Sequence, residues 1–123
     1  MRHTIRSVRH LALAVADQTR SRRFYETYFG FTAEAEPRAD GVLILHDAQG
    51  FSLALGEVDE PFTLPPFLHF GAGLPSPDDV RAFRERVAAD GLHIVEWWDE
   101  PDYVSVKFRD PDGYLVEVGW ERD

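Results

Sequence analysis

Apolar and polar residues alternate along the first half of the chain in an order that predicts one helix and four strands. The predicted strands are Val8–Val15, Phe31–Glu36, Val42–His46 and Phe51–Leu55. A helix is predicted between the first two strands, because Phe24 and Tyr28 recur at helical spacing. Asp17 is a suitable N-cap for this helix, and Gly30 is expected to end it. The first half therefore reads β-α-β-β-β.

The second half of the chain repeats the same order of elements. Its predicted strands are His69–Leu74, His93–Trp98, Val104–Phe108 and Tyr114–Trp120. Its helix is expected to begin after Ser76, with Pro77 at the first position, and to end at Gly91. We therefore predict an α+β protein of two tandem β-α-β-β-β modules in a single domain. Module one covers about 7–57, the linker about 58–66 and module two about 67–121.

Strand alternation divides the side chains between two faces of each predicted sheet. The residues expected to pack against the helices are Leu11, Leu13, Val15, Leu43, Leu45, Phe70, Ala72, Leu74, Val106 and Phe108. The opposite face carries mostly small residues, among them Ala12, Ser52, Ala54 and Gly71. Small side chains leave space above a sheet, so we predict a concave pocket lined by both modules.

Three residues at matched positions of the repeat predict a metal site. His10 and His69 each open a first strand, and Glu117 lies in the closing strand of module two. Two imidazoles and one carboxylate form a facial set of ligands that leaves open positions on a divalent ion. Alignment of Gly50 with Gly113 puts Ala54 opposite Glu117, so module one has no carboxylate at this step.

Polar residues near the predicted pocket are further candidates. Lys107 shares a face with Ser105 and Arg109, and this group is either a polar pocket wall or a solvated edge of the sheet. Lys107 is a candidate to steer a substrate or donate a proton, and His46 and Tyr103 are candidate acid or base groups near the rim. Trp97 and Trp98 point to opposite faces, and we assign Trp98 to the pocket.

Composition narrows the classes of function. The chain has 123 residues, 13 basic and 22 acidic, with a formal net charge of -9, which argues against binding to nucleic acid. It has no cysteine, so disulfides, thiolate ligands and a cysteine nucleophile are excluded. No segment has the length of apolar sequence that a membrane span needs, and we expect a cytoplasmic protein.

Several motifs resemble those of the vicinal oxygen chelate superfamily, which includes glyoxalase I, fosfomycin-modifying enzymes, extradiol dioxygenases and bleomycin resistance proteins. The motifs are His10-x-x-x-x-Val15-x-Asp17, Ser21-x-x-Phe24-Tyr25-x-x-x-Phe29-Gly30-Phe31 and Asp110-Pro111-Asp112-Gly113-x-x-x-Glu117. The resemblance implies open half-barrels around one divalent metal ion (Zn, Mn, Ni or Fe) held by His10, His69 and Glu117. Glyoxalase I commonly has a fourth ligand, Glu, at the position of Ala54, so this chain is not expected to be glyoxalase I.

Two classes of function fit the resemblance. The first is a metal-dependent enzyme, of lyase, isomerase, thiol-transferase or dioxygenase type, that acts on a small oxygen-chelating substrate. The second is a protein of the bleomycin resistance type that sequesters a drug or metabolite without chemistry. Related short chains commonly form homodimers that exchange modules, and the open strand edges of each half-barrel give a physical reason to expect the same here.

Overall fold

The structure, a computed structural model, describes residues 2–33, 36–60 and 62–123. Within these residues it contains two helices and eight strands, and the chain divides into two compact units, Met1–Pro61 and Phe62–Asp123. Each unit has the order β-α-β-β-β. The predicted α+β class with two repeated modules is therefore confirmed. None of the described helices has the length and apolar composition that crossing a membrane requires.

The first unit is an open sheet with one helix. Its elements are β1 (His10–Val15), α1 (Gln18–Phe29), β2 (Thr32–Ala33), β3 (Leu43–His46) and β4 (Ser52–Glu57). The strand order is β1-β4-β3-β2, with β1 parallel to β4 and the other pairs antiparallel. The parallel pair requires a crossover through α1, because parallel neighbours cannot be joined by a tight turn.

The second unit has the same arrangement with longer strands. Its elements are β5 (His69–Gly73), α2 (Pro77–Ala89), β6 (Ile94–Glu100), β7 (Tyr103–Arg109) and β8 (Leu115–Glu121). The strand order is β5-β8-β7-β6, again with the first and last strands of the unit parallel. Because β7 and β8 are central, side chains at their middle positions are not at a sheet edge.

Several boundaries differ from those predicted. The first strand begins at His10 rather than Val8, and the second begins at Thr32 rather than Phe31. Its described part, Thr32–Ala33, pairs with β3, and Glu34 and Ala35 of the predicted strand lie outside the described residues. In contrast, β6 continues to Glu100, because pairing with β7 continues through polar residues where the apolar alternation has ended.

Both helices begin at the predicted caps. The Asp17 carboxylate accepts a hydrogen bond from the backbone N–H of Arg20 at 3.1 Å, and Ser76 Oγ accepts one from Asp79 at 3.1 Å. Gly30 ends α1 in the left-handed conformation, with φ of 70°. Helix α2 ends at Ala89 with Asp90 as its C-cap, and Gly91 follows in the left-handed conformation, with φ of 76°.

The hydrophobic cores lie between each helix and one face of its sheet. In the first unit the buried residues are Leu13, Val15, Phe24, Tyr25, Phe31, Leu43, Leu45, Leu53 and Leu55. In the second they are Val80, Val87, Val104, Val106, Phe108, Tyr114, Val116 and Val118. The prediction for β5 was partly wrong, because Ala72 is exposed and Phe70 and Leu74 are only half-buried. β5 is an edge strand with β8 as its neighbour in the sheet, which leaves part of it uncovered.

The turn before each closing strand is built in the same way in both units. Asp47 Oδ1 accepts hydrogen bonds from the backbone N–H groups of Gln49 and Phe51, each at 2.8 Å. Asp110 Oδ1 accepts bonds from Asp112 and Tyr114 at 2.9 and 2.8 Å. A short acceptor side chain at this position satisfies donors that the strand ladder leaves unpaired. These turns fix where β4 and β8 begin, and therefore which residues of the closing strands face away from the helices.

Candidate functional site

The sheet of the second unit arranges polar residues in rows on the face opposite α2. One row crosses from β6 to β5 through Glu96, Lys107, Glu117 and Gly71. The next row consists of Trp98, Ser105, Gly119 and Gly73. Directly opposite side chains on adjacent strands lie about 5 Å apart at their Cβ atoms, so the charges of the first row interact. We call these two rows the polar face of the second unit.

Glu117 is held on this face by two hydroxyl groups. Tyr103 Oη and Ser105 Oγ each donate a hydrogen bond to Glu117 Oε1, both at 2.8 Å. Ser105 is fully buried, so its hydroxyl is fixed beneath the carboxylate and does not form a solvated edge. These two bonds fix one carboxylate oxygen and orient the other, Oε2, toward the strand that carries Gly71.

Gly71 on β5 allows Glu117 on the neighbouring strand β8 to approach closely. A Cβ at Gly71 would lie 3.0 Å from the backbone oxygen of Glu117, 3.2 Å from its Cβ and 3.4 Å from Oε2. At Gly73 a Cβ would meet its nearest atom, the backbone oxygen of Gly119, at an ordinary 3.8 Å. The small residue predicted at Gly71 therefore allows the close approach of the backbone oxygen and Cβ of Glu117.

We expect Gly71→Ala to lower the free energy of unfolding by about 1–2 kcal/mol, because the added methyl group overpacks the site against Glu117. Gly73→Ala is the matched control and should be neutral or slightly stabilising, because alanine restricts the unfolded chain. Urea denaturation of both variants tests this. Equal stability of the two variants would contradict the close packing of Glu117 on Gly71.

Lys107 lies between two carboxylates. Its Nζ is 3.1 Å from Glu96 Oε1 and 3.7 Å from Glu117 Oε1, and its side chain is 16% exposed. Burial acts to lower the pKa of Lys107, but the hydrogen bond and charge of Glu96 and the charge of Glu117 outweigh it and raise the pKa. Lys107 therefore stays cationic near neutral pH, and acts there as a hydrogen-bond donor and a positive charge.

Glu96 was not identified from the sequence. It accepts hydrogen bonds from Trp98 Nε1 and from Lys107 Nζ. These bonds, with that of Trp98 the larger cause, lower the pKa of Glu96 below its usual value. The register shifts between Ile94 and Glu96, which places Glu96 and Trp98 on the same face as Lys107. In the sequence, the two-residue spacing of Glu96 and Trp98 indicates that the two side chains lie on the same face of a strand.

Tyr103 functions in the structure as a hydrogen-bond donor to Glu117. Burial is the largest cause that raises the pKa of Tyr103, and the charge of Glu117 raises it further, against the opposing hydrogen bond of Ser105. The phenol therefore keeps its proton near neutral pH. This favours a role in orienting Glu117, while the acid or base role predicted from the sequence stays a prediction.

His69 is oriented by Phe67. The distance from His69 Nδ1 to the backbone oxygen of Phe67 is 2.8 Å, and the two rings are in edge contact at 5.1 Å between centroids. A carbonyl oxygen only accepts hydrogen bonds, so Nδ1 carries a proton, and Nε2 is the ring nitrogen that remains for the predicted metal contact. Phe67 has a φ of 68°, a conformation that is unfavourable for a residue with a side chain.

A cavity of about 660 Å³ opens on the second unit. The predicted residues among its lining are His69, Gly71, Tyr103 and Glu117. Of the other predicted residues, Ser105 lies beneath Glu117, and Trp98 is exposed with its Nε1 bonded to Glu96. The exposed Arg109 donates to the backbone oxygen of Gly113 at 3.0 Å and lies where β7 ends. The structure therefore brings four of the predicted residues to this cavity, and Ser105 and Lys107 contact Glu117 beside it. Trp98 and Arg109 are not among the described residues that line it.

The first unit has a corresponding cavity, also of about 660 Å³. It contains the predicted residues His10, Ala12, Ser52 and Ala54. Ala54, the counterpart of Glu117 in the repeat, pairs with Ala12 and Ile44 in the sheet. The row that contains the carboxylate in the second unit is therefore apolar in the first. His46 is in the neighbouring row, with its Nδ1 3.1 Å from Ser52 Oγ.

The predicted metal ligands belong to different units. His10 lies in the first unit, and His69 and Glu117 lie in the second. Across residues 2–33, 36–60 and 62–123, no three His, Cys, Asp or Glu side chains form a group that could hold a metal ion. The second unit nevertheless has two suitable donors, an imidazole with a fixed tautomer and a carboxylate with one fixed oxygen. The assembly of all three ligands stays a prediction.

The fold is that of a small α+β protein with two β-α-β-β-β units. Imidazole and carboxylate donors lie on its strands. The sequence profile of the Glyoxalase/Bleomycin resistance protein/Dioxygenase superfamily matches residues 7–118. The chain belongs to this superfamily, and the resemblance seen in its motifs is confirmed. No match was found among functionally curated proteins.

Solved structures with the same fold include two with sequence identity of 25% or more. One is described as a "possible Glyoxalase" from Bacillus cereus, with 29% identity and a TM-score of 0.77, and the match covers 93% of this chain and 98% of that one. Another is a glyoxylase/bleomycin resistance protein/dioxygenase domain from Frankia sp. EAN1pec, with 25% identity, a TM-score of 0.81 and coverage of 97% and 100%. The fosfomycin resistance protein FosX from Listeria monocytogenes, at 20% identity, a TM-score of 0.79 and coverage of 94% and 93%, shares the fold.

Proposed function

We propose that the protein binds one divalent metal ion (Zn, Mn, Ni or Fe) through His10, His69 and Glu117, and that a small substrate binds at this site through two neighbouring oxygen atoms. The reaction class that fits is an isomerase, lyase, thiol transferase or dioxygenase. Membership of the superfamily supports the general class. The proposed ligand set comes from the matched positions of the two repeats.

The observation that carries this proposal is the environment of Glu117. Two hydroxyl donors fix Oε1, and Gly71 leaves space beside Oε2. Oriented outer partners of this kind are typical of carboxylates that bind metal ions. The hydrogen bonds described for Glu117 all go to Oε1, which leaves Oε2 as the oxygen proposed to bind the metal ion.

Several polar groups near the proposed ligands have a role under this proposal. A bound divalent ion would supply Lewis acidity that stabilises negative charge on a substrate oxygen. Tyr103 and Ser105 hold the Glu117 carboxylate, and the Phe67 carbonyl holds the tautomer of His69. Lys107 is cationic and provides a positive charge beside the site. His46, with Ser52 beside it, is the candidate base from the first unit.

Acetohydroxamate, which presents two neighbouring oxygens, tests the proposed mode of binding. We expect the cobalt-loaded protein to change its visible absorption when acetohydroxamate is added, and the metal-free protein to show no binding by calorimetry. Acetamide, which lacks the second oxygen, is the matched control and should leave the spectrum unchanged. Equal binding of acetohydroxamate to the loaded and metal-free proteins would contradict the proposal.

A sequestering protein is the second candidate. It is favoured by the acidic lining of the second cavity, which includes Glu117, Glu121 and Asp123, and by the formal net charge of -9. Such a protein would bind a cationic ligand whether or not a metal ion is present. Binding of a cationic ligand to the metal-free protein would favour this second function.

We also propose that the protein forms a homodimer that exchanges modules. In this dimer, His10 of one chain would join His69 and Glu117 of the other at the metal site. The physical reason is that β1, β2, β5 and β6 are edge strands in their sheets, and an open edge is available for pairing with another chain. The dimer and the cytoplasmic location both stay predictions.

A further inference from the structure

The cavity of the first unit differs in charge from that of the second. The charged residues that line it in the described part of the chain are Arg9 and Arg38, with His10 beside them. The second cavity is lined by Glu117, Glu121 and Asp123. The chain as a whole is acidic, with a formal net charge of -9. Its composition therefore does not account for a cavity with a cationic lining.

The floor of the first cavity is apolar. Ala12 on β1, Ala54 on β4 and Ile44 on β3 form one row. Val42 extends this surface. Such a floor accommodates a hydrocarbon or aromatic group and offers it no hydrogen bond from these side chains. A ligand that covers the floor would therefore have an apolar body.

The two arginines approach this floor from different ends of the strands. Arg9 precedes the start of β1, and its Nη2 donates to the backbone oxygen of Gly50 at 3.2 Å. Gly50 has a φ of 86°, a conformation that favours glycine, and the Arg9 guanidinium lies against this turn. Arg38 is joined to the other end of the sheet by a backbone hydrogen bond to Val42.

Both guanidinium groups keep donors for a ligand. Arg38 pairs with Asp40 at 2.6 Å, but both side chains of this pair are about half exposed, and exposed ion pairs contribute little. A guanidinium has five N–H donors, of which these contacts use one in each arginine. A carboxylate or phosphate group is the partner whose geometry matches the donors that remain.

We propose that the cavity of the first unit binds a small organic anion, with its carboxylate or phosphate group on Arg9 or Arg38 and its apolar body on Ile44 and Ala54. If this anion is the substrate, small organic anions are the substrate class of the protein, and this step alone rests on the proposed function. Anion binding here does not require a metal ion.

The test uses metal-free protein passed over a chelating resin, with 4-phenylbutyrate and its neutral analogue 4-phenylbutanamide as probes. We expect the carboxylate to bind about tenfold more tightly than the amide, since hydrogen bonds to a charged group are the stronger ones. In ¹H–¹⁵N correlation spectra the shifted amides should lie in residues 9–12, 42–44 and 50–54.

The double variant Arg9→Gln/Arg38→Gln should lose the preference for the carboxylate while it binds the amide as before. Arg22→Gln is the matched control, because Arg22 is on α1 in an ion pair with Glu26 and does not line the cavity. The inference is overturned if the amide binds as tightly as the carboxylate, if the shifts lie elsewhere, or if the double variant keeps the preference. Because no metal is present, failure of the metal site alone would leave the expected result unchanged.

Discussion

Replacement of Glu117 by glutamine is expected to weaken the binding of Mn²⁺ by more than about 100-fold. Loss of an outer partner of a metal ligand typically costs about 10–100-fold, and loss of the ligand itself should cost more. Glutamine keeps the shape of the side chain and an oxygen that accepts from Tyr103 and Ser105, so the fold should be retained. Titration with Mn²⁺, with the free ion measured by electron paramagnetic resonance, gives the affinity.

Glu85→Gln is the matched control for this change. Glu85 lies on the exposed side of α2, where its carboxylate pairs with Arg84, and its side chain is 77% exposed. The same change of charge at this position should leave the affinity for Mn²⁺ within about twofold of wild type, since an exposed charge in salt solution acts weakly at a distance. Comparable affinities in Glu117→Gln and Glu85→Gln would remove Glu117 from the ligand set.

Phe108→Ala should lower the free energy of unfolding by about 3–5 kcal/mol. Phe108 is fully buried in the middle of the second sheet, and its ring lies 5.8 Å from that of Phe83 on α2. The truncation leaves a cavity between the helix and the sheet that carries Glu117 on its other face. Because domains are stable by only about 5–15 kcal/mol, we expect a large fall in the denaturant midpoint.

Phe67→Ala is the control for the loss of the same side chain at an exposed position. Phe67 is 75% exposed, and its backbone keeps the same unfavourable φ with alanine as with phenylalanine. The free energy of unfolding should change by about 0.5 kcal/mol or less. A loss of stability as large in Phe67→Ala as in Phe108→Ala would contradict the assignment of the core.

The fold could be predicted because each level of the sequence pattern agrees with the others. Asp17, Gly30 and Ser76 mark helix ends by short-range chemistry, and these residues occupy the predicted positions. The alternation that buries Val106 and Phe108 also places Lys107 and Glu117 on the opposite face. Local rules of this kind depend on neighbours within a few residues, so they can be read from one sequence.

The site could be predicted only in part, because its contacts depend on register and on backbone conformation. The bulge at the start of β6 decides that Glu96 lies opposite Lys107, and alternation alone does not reveal a bulge. The positive φ of Phe67, which brings its carbonyl to His69, is not indicated by the residue type. Arg9 was not identified because the predicted strand Val8–Val15 contained it, whereas it precedes β1 and donates to the backbone oxygen of Gly50 in a turn.

The proposed metal site requires that His10 of the first unit and His69 of the second bind the same metal ion. Pulsed electron paramagnetic resonance of the Mn²⁺-loaded protein tests this, because imidazole nitrogens bound to the ion modulate the signal. We expect modulation from two imidazole nitrogens in the wild type, reduced to one in His10→Ala and to one in His69→Ala. An unchanged two-nitrogen signal in His10→Ala would show that His10 is not a ligand.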